Sequence, residues 1–353
     1  REQFDTVYLI EKEPELGGLL RSFQNEDGLS FDYGTHFLRD TGIEALDRLL
    51  YGDFSPEQWQ TMGNLKGGGY YGFQYNGDSA FLDTRVLPKK IYHQGIIQLL
   101  NACEKPSKTY SNLDEKLRGT FGDTMTDYVF QPILKNKYFG CDLHELVEGS
   151  LNFFQLGRII GLTPQASREI KKSEIYNRKL AFHSTSEGSS DLNNYYPVSG
   201  GIGQWIERLK QKLLNMGVHI LTENSVDKIH HENNQVNSVI LTNGVQLDCN
   251  HLIWTIPIFP CLLACDIKSP VQNSPPIRLN TSLYHFVLDR PFLTDVYYIQ
   301  CHEPTFSTFR ITLYPNMQLA STASTYHLTV EVVTKEAPNL ETMAQKVHRE
   351  LIQ

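Results

Sequence analysis

The feature that most constrains this chain is an apolar run that ends on an acidic residue and leads into two glycines. Val7–Ile10 is apolar throughout, which predicts a strand buried on both faces. Glu11 follows at once, and the Gly17-Gly18 pair comes six residues later. A strand-terminal acid can accept hydrogen bonds from ribose hydroxyls, and paired glycines let the backbone approach a phosphate. The stretch therefore favours a nucleotide-binding α/β fold, although each feature alone is also typical of a solvated strand end or a turn.

A second strand and a glycine turn follow this stretch. Leu29–Asp32 has the apolar spacing of a strand and runs directly into Tyr33-Gly34-Thr35-His36. The order of strand, acid, paired glycines and Phe-Asp-x-Gly-x-His resembles the FAD-binding N-terminal part of the amine oxidase, protoporphyrinogen oxidase and UDP-galactopyranose mutase superfamily.

The resemblance implies a fold class and a first set of site residues. The fold would be α/β, with a discontinuous Rossmann-like FAD-binding domain of the glutathione reductase type and an inserted α+β substrate domain. Glu11 would hold the adenosine ribose. The residues along the pyrophosphate and flavin side would be Gly17, Gly18 and Arg21.

The glycine turn would pass the isoalloxazine ring of the flavin. Gly34 and Thr35 would contact the cofactor, and His36 is the catalytic candidate at this place. A hydrogen-bonded structural histidine is the alternative interpretation of His36.

The superfamily begins with a G-x-G-x-x-G turn that this sequence lacks. Residues 1–4 resemble the loop after the first helix of a βαβ unit. We therefore expect a fragment that lacks this turn, and also lacks the superfamily's last flavin-contacting segment.

A return to the cofactor domain is predicted after Tyr196-Pro197. An amphipathic helix begins near Gly203, and Gly217 is placed to cap its C-terminal end. Short strands follow, and the apolar segment at Leu252–Ile256 is predicted to be the last of them. By resemblance, Val226 would contact the adenine side through its backbone, and Thr255 would lie beside the cofactor.

These segments predict the domain organisation. The cofactor domain would comprise residues 1–41 and 196–258. The substrate domain would comprise residues 42–195, together with a sheet and a helix within 259–353.

A hairpin is predicted from the glycine-rich and tyrosine-rich region. Gly67-Gly68-Gly69 lacks the lysine and the following helix of a phosphate loop, so we expect a flexible connection there. Tyr70–Asp78 has the pattern of a β-hairpin, with Asn76-Gly77 as its type I′ turn.

Arg310 is the second catalytic candidate. It lies in the strand-like segment Phe309–Thr312, which resembles the part of the mutases where an arginine meets the flavin and the substrate phosphates. The guanidinium fork suits bidentate binding of phosphate or carboxylate. A solvated arginine on a sheet face is the alternative.

Composition and charge argue against several classes of binding partner. The net charge of −8 argues against nucleic-acid binding, and no apolar run is long enough to span a membrane. Six cysteines without metal-type spacing predict reduced thiols in a cytoplasmic protein and no metal site. A small-molecule substrate is expected, and the oligomeric state is left open.

Three function classes remain at this point. The favoured one is an FAD-dependent oxidoreductase that removes a hydride from a small organic substrate by a non-covalent flavin. The second is a UDP-galactopyranose mutase-like isomerase that acts on a nucleotide sugar in surface polysaccharide synthesis, without net redox change. The third is a non-catalytic nucleotide-binding protein.

Overall fold

The computed structural model describes residues 4–102, 109–187, 191–268, 277–318 and 325–352. The chain divides into two compact units, each built from two separate stretches. Unit 1 comprises Arg1–Arg21 and Ile202–Pro276, and unit 2 comprises Ser22–Gly201 and Ile277–Gln353. Within the described ranges, none of the helices has both the length and the apolar character needed to cross a bilayer.

The strands of the described residues, in chain order, are β1 (Tyr8–Ile10), β2 (Ser22–Gln24), β3 (Ser30–Asp32), β4 (Leu38–Arg39), β5 (Trp59–Met62), β6 (Gly67–Tyr71), β7 (Gln74–Asn76), β8 (Asn194–Pro197), β9 (His219–Leu221), β10 (Val226–Glu232), β11 (Gln235–Leu241), β12 (Gln246–Asp248), β13 (Asn280–Leu288), β14 (Tyr298–Cys301), β15 (Thr308–Leu313) and β16 (Tyr326–Thr334).

The α-helices of the same residues are α1 (Glu44–Tyr51), α2 (Lys89–Asn101), α3 (Leu113–Phe121), α4 (Asp123–Met125), α5 (Pro164–Ile170), α6 (Glu174–Asn177), α7 (Gly203–Asn215), α8 (Ile258–Ala264), α9 (Tyr314–Met317) and α10 (Leu340–Ile352). Two π-helical segments continue α4, at Thr126–Phe130 and Pro132–Phe139. Short 3₁₀ helices lie at Gly18–Leu20, Thr84–Val86, Leu143–Glu145 and Glu148–Phe154.

Unit 1 contains a parallel strand pair and a small antiparallel sheet. β1 pairs with β9 in parallel, and β10, β11 and β12 form the antiparallel sheet. The predicted amphipathic helix is α7, and Gly217 follows it at φ 77°, a conformation that glycine adopts without strain. Ile229, Val239 and Leu241 form the core of this unit with α8. The mixture of helices and strands confirms the predicted α/β class.

Unit 2 is organised around a six-stranded sheet in the order β13-β16-β15-β14-β6-β7. One face of this sheet is apolar, and it packs Tyr284, Val330 and Leu313 against Val347 of α10. The sequence predicts a sheet and a helix within residues 259–353, and this range contains β13 to β16 and α10. The opposite face is polar and is described with the candidate site.

A second core in unit 2 lies among the helices that follow α2. Leu117, Val129 and Leu134 are completely buried there. Lys137, at the end of the second π-helical segment, donates hydrogen bonds to the carbonyl oxygens of Cys301, Glu303 and Thr308. Burial lowers the pKa of Lys137. Lys137 therefore fixes the loop between β14 and β15, because its ammonium group satisfies three backbone acceptors at once.

Asp32 joins β3 to two distant segments of unit 2. Its carboxylate accepts hydrogen bonds from Ser22 Oγ and Tyr196 Oη, both at 2.6 Å. Its backbone N–H donates to Tyr314 Oη at 2.9 Å. Only 1% of Asp32 is exposed, so these hydrogen bonds replace the water that the carboxylate loses on folding.

Two local predictions need correction. The hairpin forms, but its turn is Gly72-Phe73, where both residues have φ near +58°, and not Asn76-Gly77. A type I′ turn needs positive φ at both central positions, and here Phe73 adopts it. The triplet Gly67–Gly69 is not a flexible connection, because it belongs to β6 and pairs with β14.

The predicted strand at Leu252–Ile256 is also wrong. These residues have no regular secondary structure, and no strand of the described chain pairs with them. Ile253 is 86% exposed. Apolar sequence alone does not make a strand, since a strand also needs a hydrogen-bonding neighbour.

The compact units change at positions 21/22, 201/202 and 276/277. The predicted boundaries at 41/42, 195/196 and 258/259 concern domains defined by the cofactor and the substrate. They stay predictions, because compactness does not report which ligand a segment binds.

The Asp32 junction gives a first testable prediction. In Gly201→Ala, the new Cβ would overlap Ser22 Oγ and Asp32 Oδ1. We expect a loss of about 1–3 kcal/mol in the free energy of unfolding, as for other overpacked sites. Urea denaturation of the full protein measures it. Gly149→Ala is the matched control, because open space surrounds Gly149. Equal denaturation midpoints for the two variants would contradict the close packing of Gly201 against Ser22 and Asp32.

Candidate active site

The polar face of the six-stranded sheet carries the candidate site. Strand register places Glu331, Arg310 and Gln300 side by side across β16, β15 and β14. Thr329 and Thr312 form the next row, two residues away along the strands. Side chains two residues apart on a strand share a face, so these rows lie on the same side of the sheet. Gln300, Thr312, Thr329 and Glu331 are each at most 3% exposed.

Arg310 and Glu331 form a bidentate ion pair in the centre of this face. Arg310 Nε donates to Glu331 Oε1 at 2.7 Å, and Nη2 donates to Oε2 at 2.9 Å. The side chain of Glu331 is 4% exposed and that of Arg310 is 19% exposed. The fork that the sequence suggested for a substrate anion is thus occupied by a carboxylate of the protein itself.

The glycine turn predicted to pass the flavin contacts this ion pair. The backbone N–H of Thr35 donates to Glu331 Oε1 at 3.1 Å, and Thr35 Oγ1 donates to the same oxygen at 3.2 Å. Thr35 Oγ1 also shares a hydrogen bond with Thr312 Oγ1. Gly34 has φ +112°, and a Cβ at this position would lie 3.4 Å from Glu331. Glycine is therefore favoured here by its conformation, since a Cβ at 3.4 Å would be in ordinary van der Waals contact.

His36 completes the turn beside the ion pair. Burial and the charge of Arg310 lower its pKa, while Glu331 and a backbone hydrogen bond with Gly34 act in the opposite direction. Its Nδ1 is buried and has no hydrogen-bond partner among the described residues. At neutral pH the imidazole is therefore uncharged, and it can exchange a hydrogen bond with a bound molecule.

Tyr298 and Gln300 add further polar groups to this face. A Cβ on Gly67 would come within 2.7 Å of the Tyr298 ring, so the bare glycine backbone makes room for the phenol. Burial raises the pKa of Tyr298 and Arg310 opposes this, so the hydroxyl stays protonated at neutral pH. Within the described ranges the Tyr298 hydroxyl forms no hydrogen bond, and Gln300 Oε1 is buried without a partner.

We call this set the Arg310 cluster, defined as Gly34, Thr35, His36, Tyr298, Gln300, Arg310, Thr312 and Glu331. The structure thus brings together four residues that the sequence suggested, from two segments far apart in the chain. Glu331, Thr312, Tyr298 and Gln300 were missed. The acid at position 331, inside the otherwise apolar run Val330–Val333, is the signal that could have revealed Glu331.

The remaining predicted site residues lie in unit 1. Glu11 directly follows β1, and its Oε1 accepts the backbone N–H of Glu13 at 2.9 Å. Its Oε2 accepts no hydrogen bond within the described part of the chain. The N–H of Asn224 donates to the backbone oxygen of Glu11 at 3.1 Å, and the side-chain Oδ1 of Asn224 is buried without a partner in the same described part. Two neighbouring residues thus offer acceptors that suit the two hydroxyls of a ribose.

The paired glycines adopt conformations that favour glycine. Gly17 has φ +112°, and a Cβ there would lie 2.9 Å from Ile206 of α7. Gly18 has φ +53° with open space on its Cβ side. Arg21 Nε donates to the backbone oxygen of Gly18 at 3.1 Å. The open space at Gly18 fits the close approach of a phosphate group to a backbone without side chains.

The last two predicted cofactor residues differ in their surroundings. Val226 begins β10, pairs with Leu241 and lies two residues after Asn224, so the fold brings it near Glu11. Thr255 lies exposed in the irregular segment 251–257, and its part in cofactor binding stays a prediction.

One group of potential metal ligands occurs among the described residues. Ligand atoms of Asp142, His144 and Glu145 lie within 4.8 Å of one another. Asp142 is already bound by Lys135, and it forms a capping box with Glu145 at the start of a 3₁₀ helix. These contacts explain the grouping without an ion.

Comparison with known proteins shows which fold and family this chain shares. Over 96% of this chain and 70% of the other, the fold matches a reduced UDP-galactopyranose mutase, with a TM-score of 0.70 and 16% identity. It also matches a protein proposed to be a protoporphyrinogen oxidase from Exiguobacterium sp. 255-15 (TM-score 0.59, 14% identity, 98% and 76% covered). An oxidoreductase from Methanosarcina mazei is a third similar structure (TM-score 0.54, 13% identity, 98% and 78% covered). The chain thus shares its fold with these three structures.

The family model described as flavin-containing amine oxidoreductase matches residues 2–260. The chain belongs to this family, which confirms the resemblance and implies a flavin cofactor. No curated protein sequence matches the chain.

The electrostatics of His36 give a second testable prediction. Its imidazole should titrate below the ordinary value of 6.5, because burial and Arg310 both disfavour the charged form. Arg310→Gln should raise the pKa of His36, since it removes a positive charge that disfavours the imidazolium. Glu331→Gln should lower the pKa, since it removes a negative charge that favours the imidazolium. NMR titration of the His36 ring protons measures this. Asp289→Asn, an exposed substitution elsewhere in unit 2, should leave the pKa unchanged. Identical His36 titration curves in the wild type and both cluster variants would contradict the described contacts.

Proposed function

We propose that this protein is an FAD-dependent oxidoreductase that removes a hydride from a small organic substrate, with its flavin held non-covalently. Family membership supports the flavin and the enzyme class. The observation that favours oxidation over a mutase reaction is the bidentate Arg310–Glu331 pair. A nucleotide-sugar diphosphate would have to displace a buried carboxylate to reach that fork, and an uncharged substrate would not.

The residues of unit 1 support FAD rather than a shorter flavin. FAD carries an adenosine ribose and a pyrophosphate, whereas FMN ends at a single phosphate. Glu11 Oε2 and Asn224 Oδ1 are acceptors without partners among the described residues, as binding of a ribose diol requires. Gly17 and Gly18 supply backbone without side chains for the pyrophosphate, and we assign Arg21, Val226 and Thr255 to the same cofactor.

The Arg310 cluster would bind and orient the substrate. The flavin, when bound, supplies the hydride acceptor. Neutral His36 exchanges a hydrogen bond through Nδ1, and Arg310 Nη1 and the Tyr298 hydroxyl donate to an oxygen of the substrate. Because the surrounding side chains are buried, these hydrogen bonds form with little competition from water.

The cofactor assignment is tested by exchanging one carboxylate. The full-length protein should be yellow and release FAD, not FMN, on denaturation. Glu11→Gln should weaken FAD binding by about 1–3 kcal/mol, the cost of losing charge-assisted hydrogen bonds. Glu15→Gln is the control, because that residue is exposed in the same segment. Titration of each flavin-free variant with FAD, followed by flavin fluorescence, measures the two affinities. If Glu11→Gln binds FAD as tightly as Glu15→Gln, the ribose assignment is wrong.

The reaction class is tested by two assays of the flavin-loaded protein. Anaerobic mixing with a panel of amines and reduced ring compounds should bleach the oxidised flavin absorbance, and the reoxidation of the flavin should consume an electron acceptor. Chemically reduced protein should leave UDP-galactopyranose unchanged. A ring-contracted sugar nucleotide formed without acceptor consumption would instead identify a mutase. Arg310→Gln should reduce turnover of the substrate that is found, because a donor to its oxygen is lost.

A further inference from the structure

Glu331 supplies the carboxylate of the Arg310 cluster. Four donors converge on it, namely Arg310 Nε and Nη2 and the backbone N–H and hydroxyl of Thr35. The buried carboxylate thus has partners from β15 and from the glycine turn. Removal of this carboxylate would leave the Arg310 charge unpaired in a mostly buried place.

The cluster as a whole is electrically neutral. Its charged side chains are Arg310 and Glu331, which cancel. Burial and Arg310 lower the pKa of His36, and burial raises that of Tyr298, so both are uncharged at neutral pH. A buried site without net charge disfavours an anion, which would lose its hydration and also face the carboxylate of Glu331.

The groups of the cluster that lack partners nevertheless call for a polar ligand. Arg310 Nη1 and the Tyr298 hydroxyl are donors without acceptors in the described ranges. His36 Nδ1 and Gln300 Oε1 are buried and have no partner there. Buried polar groups are normally hydrogen-bonded, so a molecule with both donors and acceptors would complete this face.

We propose that Glu331 determines specificity, in that it cancels the charge of Arg310 and restricts the site to uncharged molecules that carry a carbonyl or hydroxyl oxygen. In this arrangement Arg310 donates a hydrogen bond to the ligand through Nη1, but its charge is cancelled by Glu331 and does not attract an anion. The proposal rests on the proposed function only in taking that molecule to be the substrate.

The experiment compares two ligands of equal size that differ in charge, benzamide and benzoate. Isothermal titration of the full-length protein at low salt should show tighter binding of benzamide than of benzoate. Glu331→Gln keeps an acceptor for Thr35 and Arg310 but removes the charge. We expect it to bind benzoate about tenfold more tightly than the wild type does, which corresponds to about 1.4 kcal/mol. Inorganic pyrophosphate should show the same gain.

Two variants control this result. Glu303→Gln removes a buried carboxylate of unit 2 that accepts from Gly72 and Thr305 and has no hydrogen bond to Arg310. It should leave benzoate binding at the wild-type level. The double variant Arg310→Gln, Glu331→Gln removes both charges and should lose the gain of the single variant. It also serves if Glu331→Gln folds poorly, since it leaves no unpaired buried charge.

Three outcomes would overturn the proposal. They are a wild-type preference for benzoate or pyrophosphate, a gain in Glu331→Gln that persists without Arg310, and a double variant that binds anions more weakly than the wild type. The titrations need no flavin and no turnover. Absence of FAD from the protein would therefore refute the proposed function and leave this result standing.

Discussion

The ion pair between Arg310 and Glu331 is the interaction on which the candidate site depends. It joins β15 to β16, and through Thr35 it holds a turn that lies 296 residues away in the sequence. A buried ion pair is stabilising only when its other hydrogen-bonding capacity is met, and Thr35 supplies two of the missing donors. The pair therefore makes a polar sheet face tolerable in the interior, and it fixes the glycine turn at that face.

The two faces of the six-stranded sheet have different tasks. Val330, Val332 and Leu313 pack on α10 and have no polar side-chain atoms, so this face supplies stability. The other face buries two rows of polar side chains, which contribute less stability because each must replace its lost water. Buried polar groups without hydrogen-bond partners are typical of functional sites, where a ligand completes the hydrogen bonds that the fold leaves unmade.

The sequence predicted the class of the fold and part of the candidate site. The pattern around Glu11 and the turn Gly34–His36 have local signals, and the helix α7 has a clear amphipathic period. Glu331 has a local signal only as an acid inside the apolar run Val330–Val333, and its role depends on Arg310, a partner on a neighbouring strand. The turn at Gly72-Phe73 was missed for a different reason, since the sequence offered Asn-Gly nearby and gave no hint that Phe73 would adopt positive φ. Leu252–Ile256 had the right composition for a strand, but strand formation depends on a neighbour that composition does not report.

The glycines of β6 bear on how such a site can change during evolution. Gly67 lies where any side chain would occupy the space of the Tyr298 ring. The shape of this part of the site thus depends on the missing Cβ of Gly67, which a comparison of functional side chains does not consider. A new residue at position 298 can alter which ligands the site binds while the strands stay in place. A new residue at position 67 would instead displace the Tyr298 ring or separate the two paired strands. Divergence towards new substrates is therefore open at position 298 and closed at position 67.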